Sequence, residues 1–434
     1  MPETITSAAS KQVNDSLPNW FLETRDKAAT DYATLPFPTR KDESWRFGTL
    51  KHAVIDELLP RHSVSEEVAA DLLTRSAELG NIAGRMIFAN DELIADPILE
   101  AGLKEKGVIC LPLQEALLQH GDLVREYFFE SDVRLGGEKY AALHYSKVTN
   151  GLFIYVPRGV VIDKPIEAYH WMSGEVFTYP HTLIVADENS DVEVIDYFES
   201  ANETDSGLSI SMNTLLAKKG ATLRYIACQD ANFQSRHYGI GTTRVDRDAK
   251  VKSLLVNFGS AWGRNESLSH LHGENASSEM LSVTIDNEGQ ELDSRTLQLH
   301  EAPHTYSDLL YKNALFDTAR SIFAGLIFVE EGAHFTDAYQ KCRNLLLSDE
   351  AEANSMPGLE INADQVKCSH GSTSGPISAE ELFYLESRGI SDLKARELIT
   401  FGFLNEAIER IGDEAIRSML AEKVMAKLTA TSKE

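Results

Sequence analysis

Ser190-Asp-Val-Glu-Val194, Gly220-Ala-Thr-Leu-Arg-Tyr225, Asp248-Ala-Lys-Val-Lys-Ser-Leu254 and Asn275-Ala-Ser-Ser-Glu-Met-Leu281 decide the fold. Each sets a small or turn-forming residue ahead of a run in which β-branched and aromatic residues alternate with polar ones, the period-two mark of a strand. Their starts lie 30, 28 and 27 residues apart. A unit recurring at such a period builds a solenoid or a sandwich. The many Asn, Ser, His and Thr within the pattern favour a parallel β-helix, whose coils stack like side chains in ladders. Similar stretches at Asp317 and Gly332 break the period. Strands are expected at residues 152–156, 182–185, 192–197, 209–216, 222–227, 250–256, 280–285 and 321–329, with hardly a helix among them. The expected fold is mainly β, with a parallel β-helix core over residues 146–375.

The flanks read differently. Residues 1–145 suit an N-terminal mixed α/β domain, mostly helical. Trp20, Phe21, Ala28, Tyr32 and Leu35 share one face of a helix over 17–35, which Pro36 and Pro38 terminate. Helices are also expected over 66–79, 114–120 and 123–129, and a short strand over 85–89. Residues 376–434 suit a C-terminal helical domain. Ser378 and Glu381 have capping-box spacing, Arg388-Gly389 closes that helix, and Ser391 offers the next N-cap. Ala395, Leu398, Ile399, Phe403, Ala407 and Ile408 then form an apolar face, and Met419, Leu420, Val424, Met425 and Leu428 continue the pattern. Helices at the end of a solenoid make a natural docking surface, with Phe383, Leu398 and Phe403 as candidate contacts.

Charge and motif content exclude several function classes. With 41 basic against 67 acidic residues, the formal charge is −26. Such a surface repels nucleic-acid phosphates and anionic lipid. The longest strongly apolar run, 323–329, suits a strand rather than a membrane span. The first 15 residues show no basic segment followed by an apolar one, so a cytoplasmic protein is expected. The four cysteines form no CxxC pair, against a disulfide scaffold or a private zinc or cluster site; Cys110 and Cys228 read as small buried hydrophobes. Gly239-Ile-Gly241-Thr-Thr-Arg244 lacks the third glycine of a dinucleotide fingerprint and reads as a turn. No phosphate-binding loop is present, so the chain is not expected to bind ATP itself, and no nucleophile or zinc-protease signature marks an enzyme. A β-helix carbohydrate-active enzyme, the alternative from another class, would need paired carboxylates and usually export.

The most informative chemistry lies in Val366-Lys-Cys-Ser-His-Gly-Ser-Thr-Ser-Gly375. Cys368 and His370 are two residues apart, so a strand presents thiol and imidazole on one face. That is two ligands of an iron or zinc site; the competing reading is a buried cysteine and a hydrogen-bonded histidine at a strand end. The remaining ligands would come from Cys342 or from a second chain. Cys342 stands between Lys341 and Arg343, whose charges would favour thiolate only if they stayed near the sulfur. His270, His272, His300 and His304 are read as packing and hydrogen-bonding residues of the ladders.

Several motifs resemble the SufD branch of the SufB/SufD family of iron–sulfur cluster assembly scaffolds. They are Pro38-Thr-Arg-Lys-Asp-Glu-Ser-Trp-Arg-Phe47, Phe153-Ile-Tyr-Val-Pro-Arg-Gly-Val160 with Pro165-Ile166, Leu359-Glu-Ile-Asn-Ala-Asp-Gln-Val-Lys-Cys-Ser-His-Gly371, and Leu382-Phe-Tyr-Leu-Glu-Ser-Arg-Gly-Ile390 with Gly402-Phe403. The resemblance spans essentially the whole chain. It implies a right-handed parallel β-helix, a heterodimer with SufB through that helix, and docking of the ATPase SufC on the C-terminal helices. It also implies a transient Fe–S cluster near the SufB interface, with roles for His370 and Cys368. Gln340-Lys-Cys342-Arg-Asn-Leu departs from it, resembling the place where SufB carries its functional cysteine. A SufB-like or self-pairing scaffold, with Cys342 as sulfur acceptor, is therefore the alternative within the family.

Overall fold

One backbone feature sets the architecture. Asn189, Gly220, Asp248, Asn275, His304, Phe335 and Gln365 all adopt left-handed φ angles between 57° and 70°. Each stands two residues ahead of a strand: Asp191–Ser200, Thr222–Asp230, Lys250–Asn257, Ser277–Asp286, Tyr306–Leu315, Asp337–Leu346 and Lys367–Gly375. The repeat therefore does not break after residue 281. It continues through His304, Phe335 and Gln365, of which Phe335 and Gln365 are not residues that ordinarily mark such a turn. Asp317 falls out of phase because it turns the opposite edge, ahead of the Arg320–Val329 strand of the other sheet. Gly220 is required where it stands, since a Cβ there would meet the Asn189 side-chain oxygen.

The computed structural model describes residues 17–431, so the reading of the first 15 residues lies outside it. The chain alternates between an 11-stranded and a 10-stranded sheet and forms a parallel β-solenoid. All eight expected strands are present, each longer at one or both ends, and others fill the gaps, among them Ser235–Val245, Trp262–Leu271, Glu291–His300 and Glu352–Ile361. Gly239 and Gly241 are not a turn: they lie within Ser235–Val245, where a Cβ would stand 2.8 Å from the side-chain oxygens of Asn265 and Asn213. Glycine at these positions makes room for the neighbouring amides. The interior begins apolar, with Leu152, Ile154, Ile184, Leu215, Leu223 and Val251. It later turns polar: Asn313 donates to Asn344 (2.7 Å), which donates to Ser374 (3.0 Å).

The two ends of the solenoid differ. At the first, N-terminal segments add to both sheets: Gly84–Ala89 runs parallel to Ile166–Met172, and Ile109–Pro112 runs antiparallel to Gly151–Val156. At the second, Lys367–Gly375 and Glu352–Ile361 are the last strands of their sheets, with no strand beyond them among the described residues. Helix Asn19–Thr34 buries Phe21 and Ala28 as its pattern predicts. Helix Glu66–Arg75 stops short of the expected Leu79 because Ser76 leaves it, donating to the Leu72 carbonyl (2.7 Å) and accepting from the Trp171 indole (2.8 Å). Helix Glu138–Lys147 carries no clear amphipathic pattern and was not expected.

Two arginines help pin the N-terminal segment to the outer face of the 10-stranded sheet. Arg264 is fully buried. It donates to Asp293 (2.5 Å), to Glu266 (2.9 Å) and to the carbonyls of Ser44 and Leu135 (both 3.0 Å). Its guanidinium lies 3.8 Å from the centre of the Trp45 ring, and Arg295 holds the Arg46 carbonyl at 2.7 Å.

Three helices follow the last strand: Ala379–Glu386, Asp392–Ile408 and Glu414–Thr431. Ser378 and Ser391 occupy the expected N-cap positions with extended backbones, but neither side chain accepts a hydrogen bond. Gly389 takes φ 85° beyond the first of these helices, as its position predicts. The apolar face of the second helix is in part the expected one: Ala395, Ala407 and Ile408 are buried as the pattern predicts, joined by Thr400 and Leu404, whereas Leu398 turns outward. With Ile416, Leu420 and Val424 of the third helix, this face packs on Ile195, Ile226, Leu254, Leu281 and Leu310 of the 11-stranded sheet.

Candidate functional site

The terminal strand Lys367–Gly375 places Cys368 and His370 in register with Ala338 and Gln340, both buried and inward-facing. Cys368, His370, Ser372 and Ser374 therefore form the inward row of an unfinished coil. Because no strand follows, this row is open: His370, Ser372 and Ser374 are exposed and Cys368 is half-buried. The facing strand Glu352–Ile361 also ends its sheet and is half-buried along most of its length. Cys368 packs with Ile327, Val329, Ala338, Leu359 and Val366. Burial, then the charge of Asp337, pushes its thiol up from the ordinary value.

Cys342 stands differently. It is fully buried one coil further in, opposite Ser372 rather than His370. Its sulfur lies 3.8 Å from Asn313, Asn344 and Ser355. Burial pushes the thiol up to about 12. Lys341 and Arg343 point to the other face and are exposed, Arg343 lying 3.7 Å from Glu406, so neither activates the sulfur. Among the described residues, Cys342, Cys368 and His370 do not bring three donor atoms within 4.8 Å of one another. The terminal strand thus presents two donors of different chemistry on one face, and any further ligand must be brought to them.

The other cysteines are buried hydrophobes as expected, Cys110 and Cys228 both raised to about 12 by burial. These environments set an expected result. At pH 8 one thiol, Cys368, reacts with Ellman's reagent in the native chain, and the remaining three react only after denaturation. Rapid native labelling of two or more thiols would contradict the burial of Cys342.

The C-terminal candidates separate into two groups. Phe383 is 71% exposed, on a helix with no buried residue, and Leu398 is 38% exposed. Phe403 instead packs on the solenoid, its ring 4.2 Å from the Lys312 ammonium. Tyr384 and Leu393, outside the expected contacts, are 58% and 50% exposed. For Tyr384 the signal lies in the sequence: Phe383-Tyr384 puts two adjacent aromatics on a helix too short to bury both.

The chain matches two family descriptions. Residues 5–168 match the SufBD protein N-terminal region, and residues 170–403 match the SufBD core domain of SUF-system FeS cluster assembly. It is 28% identical over 420 residues to the iron–sulfur cluster assembly protein SufD of Bacillus subtilis, covering 95% of this chain and 94% of that protein. It is also 28% identical over 421 residues to iron–sulfur cluster assembly SufBD family proteins of Staphylococcus epidermidis and Staphylococcus haemolyticus, covering 93% of this chain and 88% of each relative.

Proposed function

The chain belongs to the SufBD family of SUF-system iron–sulfur cluster assembly proteins, and from that premise we propose that it acts as a SufD-type scaffold subunit in the cytoplasm, binding rather than turning over its cargo. The observation that carries this reading is the unfinished last coil, with Cys368 and His370 on the open face of an edge strand. An edge strand offers unpaired backbone groups to another chain. A SufB-type partner, laid along that edge, would bury the pair and supply the missing ligands of a transient Fe–S cluster. Thiol and imidazole suit iron, and a site split between two chains suits release of the cluster as well as its assembly.

A SufC-type ATPase is assigned to the C-terminal helices, where Phe383, Tyr384 and Leu398 are exposed. The second and third of those helices pack on the same 11-stranded sheet that ends in Lys367–Gly375, so force applied to them would be transmitted to the edge. ATP-driven closure would bias two arrangements of the interface, one hiding and one exposing the donors. The alternative, a self-pairing scaffold with Cys342 as sulfur acceptor, is disfavoured by the buried, protonated state of that thiol.

The test is co-purification with the SufB-type and SufC-type chains of the same source, followed by anaerobic reconstitution with iron and sulfide. A complex is expected, with cluster yield in His370→Ala reduced about tenfold, the scale on which groups supporting a metal site act, and unchanged in Cys342→Ser. Absence of a complex, or full yield in His370→Ala, sinks the proposal.

A further inference from the structure

We propose that His270, His272 and Glu301 form a divalent transition-metal site on the outer edge of the solenoid, apart from the terminal strand. His270 lies near the end of strand Trp262–Leu271, and His272 follows two residues later. Glu301 follows the adjacent strand Glu291–His300, whose register sets Leu271 opposite His300. A backbone hydrogen bond from Glu301 to Leu271 (3.1 Å) ties the two segments together. The three side chains are thus placed by neighbouring rungs of a rigid ladder.

Their geometry converges. The Nε2 atom of His270 and the Nδ1 atom of His272 meet the same carboxylate oxygen of Glu301, at 2.5 and 2.7 Å. All three donor atoms lie within 4.8 Å of one another, the only such His/Cys/Asp/Glu group of three or more among the described residues. Ligands bound at ~2.1 Å stand roughly 3–3.5 Å apart around a tetrahedral ion. The carboxylate need retreat by only about an ångström, and Glu301, 44% exposed at its side chain, is free to do so.

The surroundings single out this trio. Other histidines on the same edge are engaged: His300 is buried against Thr305 and Ser307, His304 stacks on Phe335, and His334 bonds to the Asp364 backbone. Arg244, in register with His270, has its charge paired by Glu130 and Asp246. Two imidazoles and one carboxylate with open positions select Zn²⁺, Fe²⁺, Co²⁺ or Ni²⁺ over Mg²⁺ or Ca²⁺. This inference does not depend on the assembly function, since it uses none of the terminal-strand residues.

The experiment uses the full chain carrying Cys368→Ser and His370→Ala, stripped with chelator, so that the terminal strand contributes no donors. Zn²⁺ is titrated calorimetrically and Co²⁺ by visible absorption under anaerobic conditions. One equivalent is expected to bind, with affinity falling at least about tenfold in His272→Ala and in Glu301→Gln, since even outer-shell groups are worth that much. Circular dichroism checks that both variants keep the strand signal, and His270→Gln serves as the substitute for either that does not. No binding to the parent, or unchanged stoichiometry and affinity in the variants, means that the trio is a hydrogen-bonded ladder and nothing more.

Discussion

Replacing Arg264 with methionine lowers stability by about 3–5 kcal/mol, the cost of removing one partner from a buried ionic network. Methionine fills the space, so the loss is electrostatic rather than a cavity. Asp293 and Glu266, 1% and 3% exposed, keep their charges or take up protons, and neither outcome restores what the guanidinium supplied. The carbonyls of Ser44 and Leu135 lose their donor at the same time. The N-terminal segment around Trp45 should detach first, since Arg264 is one of the side chains that hold it to the sheet, with Arg295, Glu291 and Arg236. Arg264→Lys rescues little, because an ammonium cannot reproduce a planar fork reaching four acceptors and a ring. Thermal unfolding followed by tryptophan fluorescence reads the effect, with the exposed Arg158→Ala as control. A midpoint within a degree or two of the parent would show that the cluster anchors nothing.

The second large effect falls on the C-terminal helices. Under the proposed docking, Phe383→Asp combined with Tyr384→Asp weakens capture of the SufC-type ATPase by about 100-fold or more, since buried aromatic anchors at interfaces each carry about 2 kcal/mol or more. The fold should not suffer, because helix Ala379–Glu386 buries no residue. Leu404→Asp is the opposite case: Leu404 is fully buried against the solenoid, so this change destabilises the chain before it bears on any partner. Co-purification of each variant, with thermal melts alongside, separates the two. Retention of the ATPase by the aromatic double variant would remove these helices from the interface.

Much of this was legible beforehand. The strands were found by alternation, and the repeat by small turn residues. The repeat was lost where His304, Phe335 and Gln365 adopt the left-handed turn that Asn, Asp and Gly adopt earlier. There the stacking of coils over-determines the backbone, and local preference yields to it. Gly239 and Gly241 misled for the converse reason: glycine was read as punctuation where it serves as space for neighbouring amides. The cysteine–histidine pair was visible from a spacing of two. The sealed position of Cys342 was not, because its depth depends on the coil stacked above it, which local sequence does not reveal. His270 and His272 were read as ladder residues, and the partner that joins them, Glu301, comes 29 residues after His272, one turn of the repeat away.

The asymmetry between the two ends limits what can be built from this chain. Polymerisation by strand addition needs a donor edge and an acceptor edge on every unit, so that each arrival recreates the surface it consumed. Among the described residues the first end closes on short antiparallel strands, Ile109–Pro112 and Glu92–Leu93, which do not reproduce the long parallel edges Glu352–Ile361 and Lys367–Gly375 at the other end. Under the proposed pairing, association stops at two bodies instead of running on into a fibre, and the free edges left over are those of whichever chain is in excess of its mate.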